Sequence, residues 1–180
     1  MGGTHDHGPS ESAKERMEFL EREMARIGKY IGNKTVADIG PGDGSVTKVL
    51  ARRAKKVYAI DVDEKTLDVL AENCRNVKNV SPRLSESGRM PLGDKSVEVV
   101  FSSASFHHLP KGYLREMARV LKTKGNVIVL DWDRSRAPPF MRLAHRLFSE
   151  EEVADAFKAE GFTVLFMKTY KRHFMVVLAK

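Results

Sequence analysis

Cysteine is nearly absent from this chain of 180 residues; Cys74 is the only one. That excludes an internal disulfide and any metal site built from cysteines. Cys74 falls in a periodic segment and reads as a helix thiol. Glutamine is missing altogether, and 31% of residues are charged, a combination that leans toward a heat-adapted, thermophile protein. No window approaches the ~18 consecutive apolar residues of a membrane span, and the N-terminus carries no apolar signal segment. A cytoplasmic protein without membrane insertion is expected. What is present is a 42% hydrophobic chain, enough for one compact domain with a real core. The net charge of +7 admits nucleic acid, membrane surfaces or anionic metabolites as partners and chooses none of them.

Residues 1–11 are rich in Gly, His, Asp, Pro and Ser and read as a flexible tail. Within it, His5-Asp6-His7 is too short and too mobile a motif to build a metal site, so no metal is expected. Across residues 12–32, Met17, Leu20, Met24, Ile27 and Ile31 recur at helical spacing opposite a charged face. This predicts a helix lying on the domain and able to cover a cofactor or substrate. Residues 33–180 then alternate β and α patterns. Strands are expected at 36–39, 56–60, 77–81, 97–102 and 126–130, with helices at 45–53, 64–73 and 110–121 between them. Pro82 limits the third strand. Residues 132–148 look irregular and basic. Ser149 and Glu152 form a capping box for a helix that Gly161 ends. Strands at 162–169 and 173–179, joined by a short connection, predict an antiparallel hairpin at one edge. The expected fold is α/β: a single-domain, Rossmann-like, mostly parallel seven-stranded sheet with helices on both faces and a C-terminal antiparallel hairpin.

The informative stretch is Asp38-Ile39-Gly40-Pro41-Gly42-Asp43-Gly44, between the first strand and its helix. Such a turn brings backbone N–H groups close to a ligand. Asp61 closes the next apolar run. A nicotinamide fingerprint would need G-x-G-x-x-G. Here the third glycine comes early, at Gly44, and Ser45 stands in its place. The motif instead resembles that of class I S-adenosylmethionine-dependent methyltransferases. More narrowly, residues 33–180 are similar to the small ubiquinone/menaquinone C-methyltransferase-like group. Two later stretches agree: Asp94 to Leu109 resembles the fourth strand and its loop, and Leu114 to Gly125 resembles the helix and turn leading to the fifth strand.

The resemblance implies S-adenosyl-L-methionine as cofactor. It implies that Asp38, Gly40, Pro41, Gly42 and Gly44 hold its methionine part and sugar. Asp61 would bind the ribose hydroxyls, Val62 would lie near the adenine face, and Ser102 would begin the loop near the transferring methyl. The Asp that the family often has after the third strand is missing, and Glu86 or Ser87 occupies that neighbourhood.

Methyl transfer is an in-line displacement in which the cofactor supplies the reactive group and the protein supplies position. No protein nucleophile is required. Acceptor-side candidates lie after the fourth and fifth strands: His107 and His108, either of which can orient or deprotonate an acceptor hydroxyl or pack on the sheet, and Asp131, with Trp132 and Arg134 beside it. The segment 138–148, including His145, reads as a lid, an interface or core packing. The chain carries no added RNA-binding module, no Asn/Asp-Pro-Pro-aromatic motif after the fourth strand, and no cysteine nucleophile there. A small-molecule acceptor is therefore favoured, with an RNA or protein methyltransferase, or a noncatalytic subunit needing a partner, as alternatives. A monomer or homodimer is expected.

Overall fold

The structure, a computed structural model, describes residues 11–86, 88–110 and 112–180. The tail bearing His5 and His7, and Ser87, lie outside the described residues.

Helix α1 (Glu11–Ile31) opens the chain and buries Phe19, Leu20, Met24, Ile27 and Ile31. β1 (Thr35–Ile39) and α2 (Ser45–Ala51) flank the glycine turn. β2 (Lys56–Asp61) runs into α3 (Glu64–Asn73), whose N-terminus is capped by Asp63 accepting from the Thr66 N–H at 3.1 Å. Then come β3 (Val80–Leu84), β4 (Val97–Ser103), a 3-10 turn (Phe106–His108) and α4 (Tyr113–Val120). β5 (Leu121–Trp132), α5 (Pro139–Ala144), α6 (Glu150–Ala159), β6 (Thr163–Tyr170) and β7 (His173–Ala179) complete it. Ser149 and Glu152 make the expected reciprocal capping box at α6.

The seven strands form one sheet in the order β3-β2-β1-β4-β5-β7-β6. β1 to β5 are parallel, and β7 and β6 close one edge antiparallel. Alternate residues of β5 serve opposite faces, as the two-residue period of a strand requires. Val127 and Val129 pack with Met117 and Val120 of α4 and Val153 and Phe157 of α6. Ile128 and Leu130 pack with Phe19, Leu20 and Ile27 of α1 and Val46 and Leu50 of α2. Among the described residues, no helix is long and apolar enough to cross a membrane.

Several boundaries differ from the sequence expectation, β5 among them, which starts at Leu121 and runs through Asp131 and Trp132, both expected to follow it. β3 starts and ends three residues later than expected and contains Pro82, in register with Ala59. An edge strand tolerates this, because its outer N–H groups have no strand to bond. Helix α4 begins at Tyr113 after Gly112 in a left-handed conformation, and Leu121 is already extended. The stretch expected to be irregular holds α5, with Pro139 at its first turn, where a missing N–H costs nothing.

Candidate active site

The strand order reverses between β1 and β4, and open sheets of this kind bind ligands in the crevice at the carboxyl ends of the strands there. Two loops meet at that point. Gly40 has φ of +64°, and a Cβ on it would stand 2.4 Å from Cβ of Ser105. The Ser105 hydroxyl donates to the Ile39 carbonyl at 2.6 Å, tying the loop after β4 to the glycine turn. Gly42, at φ +56°, has nothing within 4 Å of where its Cβ would lie and faces open space. Gly44 serves packing: its Cβ would meet Cys74 Sγ at 3.0 Å and Leu70 Cγ at 3.1 Å on the neighbouring helix.

Two clefts open from this junction. One, of about 520 Å³, is lined by Asp61, Val62, Ser85, Gly88, Ser105 and Tyr113 among others. The second, of about 650 Å³, is lined by Pro41, Ser103, His107, Trp132, Met141 and His145, with Lys14, Arg16 and Met17 from the first turns of α1. Gly40, Gly42, Ala104 and His108 line both. Each cleft has the size of a small-molecule site, about 300–1,000 Å³.

In the first cleft, Asp61 Oδ1 accepts from the N–H groups of Val62 at 2.8 Å and Asp63 at 3.1 Å. Among the described residues Oδ2 has no partner. Val62 is 71% exposed, an apolar side chain left open at the cleft wall. Asp38 is buried behind the turn; its Oδ2 accepts from Thr47 Oγ1 at 2.7 Å, and its buried Oδ1 has no partner among the described residues. Burial pushes the Asp38 carboxyl up to about 7; the Thr47 bond opposes that rise and the Asp61 charge adds to it.

In the second cleft, the His107 ring nitrogen Nδ1 lies 2.8 Å from Asp131 Oδ1. The same carboxylate accepts from the His107 N–H at 3.2 Å and the Trp132 N–H at 2.7 Å. Being acceptor-only when ionised, Asp131 holds His107 with a proton on Nδ1 and a lone pair on Nε2. His145, at the C-terminal end of α5, packs its ring edge-on to both His107 and His108. Partial burial, then the neighbouring His107 and His145, lower the pKa of His108. Burial lowers that of Arg16, opposed by the charges of Asp131 and Asp43. Behind the wall, His173 is fully buried, its ring 4.5 Å from that of Trp132. Burial and the nearby Arg16 push its pKa down to about 4. Trp132 itself anchors the loop with Ala137 and Leu147 while facing the cleft.

The structure thus gathers Gly40, Pro41, Gly42, Asp61, Val62, His107 and His108 around the paired clefts. Asp38, Gly44 and Ser102 stand behind them: Ser102 is buried, its hydroxyl oxygen 2.8 Å from that of Ser105. Asp131 reaches the cleft through His107. Glu86 is exposed and lines a separate shallow cleft with Leu84 and Arg89. Ser85 and Gly88 take the place by Asp61; Ser85 is tied to β2 through its N–H to the Asp61 carbonyl at 2.7 Å. The sequence reading gives no site role to Ser105 or Tyr113, places Arg16 only on the covering helix, and places His145 only in the segment read as a lid, an interface or core packing. A small residue on the loop after β4 was the available signal for Ser105; nothing local marked the others.

A demethylmenaquinone methyltransferase of Tropheryma whipplei is 31% identical over 112 residues, 60% of this chain and 46% of that protein. An uncharacterised methyltransferase of Schizosaccharomyces pombe is 29% identical over 142 residues, 73% of this chain and 55% of that protein. The chain thus spans about half the length of these relatives. The crystal structure of an S-adenosylmethionine-dependent methyltransferase from Aquifex aeolicus superimposes with a TM-score of 0.78 at 26% identity, covering 92% of this chain and 97% of the other. Residues 37–129 of the 180 match the model of a family described as a methyltransferase domain. The chain belongs to that family and has the class I S-adenosylmethionine-dependent methyltransferase fold.

Proposed function

We propose that this chain transfers a methyl group from S-adenosylmethionine to a small-molecule acceptor. The observation that carries this reading is the junction of the two clefts at Gly40, Gly42, Ala104 and His108. A cofactor in one and an acceptor in the other meet there.

The residues present fit the cofactor. Asp61 offers Oδ2, which has no partner among the described residues, to the ribose hydroxyls, and exposed Val62 offers an apolar surface to the adenine. The space in front of Gly42 admits the cofactor against bare backbone. S-Adenosylmethionine supplies an electrophilic methyl carbon on a sulfonium.

The chain supplies position. His107, held by Asp131, presents its second ring nitrogen on the acceptor side and fixes the place of the acceptor there. Trp132 gives that cleft a flat apolar wall, and α1 and α5 enclose it. The relation to a demethylmenaquinone methyltransferase, and the Trp132 wall, make a hydroxylated aromatic ring the first acceptor class to try.

Calorimetric titration with S-adenosylmethionine, S-adenosylhomocysteine and NAD is the direct test. Saturable binding of the first two, lost in Asp61→Ala, supports the assignment and opens an acceptor screen with labelled methyl donor. Selective binding of NAD overturns it.

A further inference from the structure

We propose that His107, His108 and His145 together bind one divalent transition-metal ion, zinc being the best match, in the acceptor cleft. The three residues come from two segments that the fold brings together: the 3-10 turn after β4 and the end of α5. Their ring centroids are 4.0, 4.9 and 5.2 Å apart. One ring nitrogen from each lies within 4.8 Å of those of the other two.

Three features favour an ion over a chance stack of rings. First, the donor set is pure imidazole. That suits zinc and its transition-metal neighbours and suits magnesium or calcium poorly. Three protein nitrogens with one open position is also a known catalytic zinc arrangement. Second, His107 already carries the partner that a metal-binding histidine usually has: a carboxylate on its other ring nitrogen, here Asp131 at 2.8 Å. That bond directs the Nε2 lone pair away from Asp131 and fixes the ring. Third, among the described residues no side chain hydrogen-bonds to the ring nitrogens of His108 or His145, so both keep a lone pair to give. With zinc–nitrogen bonds of about 2.0–2.1 Å, tetrahedral ligand nitrogens sit roughly 3.4 Å apart. Rotation of the exposed His108 and the half-buried His145 toward the fixed His107 closes the difference.

All three residues line the acceptor cleft, so the open position faces it. The consequence for catalysis rests on the methyltransferase reading above. An acceptor hydroxyl or thiol in that position gives up its proton to water and keeps the electron pair. That pair forms the new bond to the methyl carbon while the methyl–sulfur bond breaks and its electrons return to sulfur. The products are the methylated acceptor, S-adenosylhomocysteine and one proton.

The test uses the full chain, stripped with a chelator and titrated with Zn²⁺ alone, and with Co²⁺ for its visible spectrum. Expected are one ion per chain at this site and intense cobalt bands of a four-coordinate nitrogen-rich site. His145→Ala, or His145→Gln should the first fold poorly, weakens binding at least about tenfold and abolishes those bands. Asp131→Asn weakens it by about 10–100-fold, as loss of a ligand's supporting carboxylate does. A His5→Ala/His7→Ala chain binds as the parent does. Unchanged binding in His145→Ala, or binding lost in the His5/His7 variant, overturns the proposal. S-Adenosylhomocysteine titration of each variant runs alongside. Cofactor binding without metal binding defeats this inference alone, whereas metal binding without cofactor binding defeats the methyltransferase reading.

Discussion

Asp131 and His107 form a buried pair, Oδ1 to Nδ1 at 2.8 Å, at the back of the cleft that holds the acceptor in our reading. Three donors converge on this carboxylate: the ring and backbone N–H of His107 and the backbone N–H of Trp132. An asparagine offers one acceptor oxygen in place of two, so at least one donor faces an amide NH₂. Asp131→Asn is therefore expected to free the His107 tautomer and lower kcat about 10–100-fold, with S-adenosylhomocysteine affinity unchanged. Nitrogen NMR of the ring reads the tautomer directly. A His107 that stays protonated on Nδ1 in the variant would show that Asp131 does not set it.

Gly40 and Gly42 share a left-handed backbone and differ in what surrounds them. Gly40→Ala drives a methyl into Ser105 and strains the backbone, at a cost of about 1–3 kcal/mol for the conformation alone. It also parts the loop after β4 from the turn, so a fall in melting temperature and a loss of cofactor binding are expected together. Gly42→Ala meets no protein atom. It should cost only about 1–2 kcal/mol of stability and still abolish binding, because its methyl fills the space in front of the turn. Melting curves and titrations on the pair separate the two; equal losses of stability would sink the distinction.

The β/α alternation, the hairpin edge and the glycine turn were legible because each is written locally, as a period or a turn residue. Asp61 and Val62 were legible because the one ends a recognisable strand and the other follows it. His145 was not, since its position depends on a six-residue helix begun by Pro139 inside a stretch with no clear period. The Glu86 expectation followed residue type, looking for an acid after β3. The chain instead turns there, with Glu86 bridged to Arg89 and the Ser85 N–H bonded to β2. Gly44 reads as a ligand glycine in the motif, yet its neighbours Cys74 and Leu70 lie on a helix whose approach no local pattern records.

Asp61 tests the ribose assignment without disturbing the turn. Oδ1 already serves Val62 and Asp63. Asparagine keeps that oxygen and replaces Oδ2 by a group that cannot accept. A hydrogen bond to a charged group contributes about 1.5–3 kcal/mol. Asp61→Asn should therefore lower S-adenosylhomocysteine affinity roughly 10–150-fold with little change in melting temperature. Full affinity in a calorimetric titration would remove Asp61 from the site.

Asp38 makes the stability of the ligand-free protein depend on pH. Its folded pKa is raised, mainly by burial, to about 7 from an ordinary value of 3.8. Between those values the folded state keeps a proton that the unfolded state has released, so unfolding free energy falls as pH rises. The contribution is fully present below the unfolded pKa and gone above the folded one. It is on the order of a few kcal/mol, because each tenfold difference in proton affinity between the two states corresponds to about 1.4 kcal/mol. Asp38→Asn leaves an acceptor for Thr47 and has no charge to bury. The variant should therefore gain on the parent as pH rises from about 4 to about 8, with the gap levelling off above 7. Thermal unfolding of both proteins across that range decides it. Parallel curves would mean that Asp38 ionises in the fold as easily as in the unfolded chain, and that its unpartnered Oδ1 finds water or a cation there.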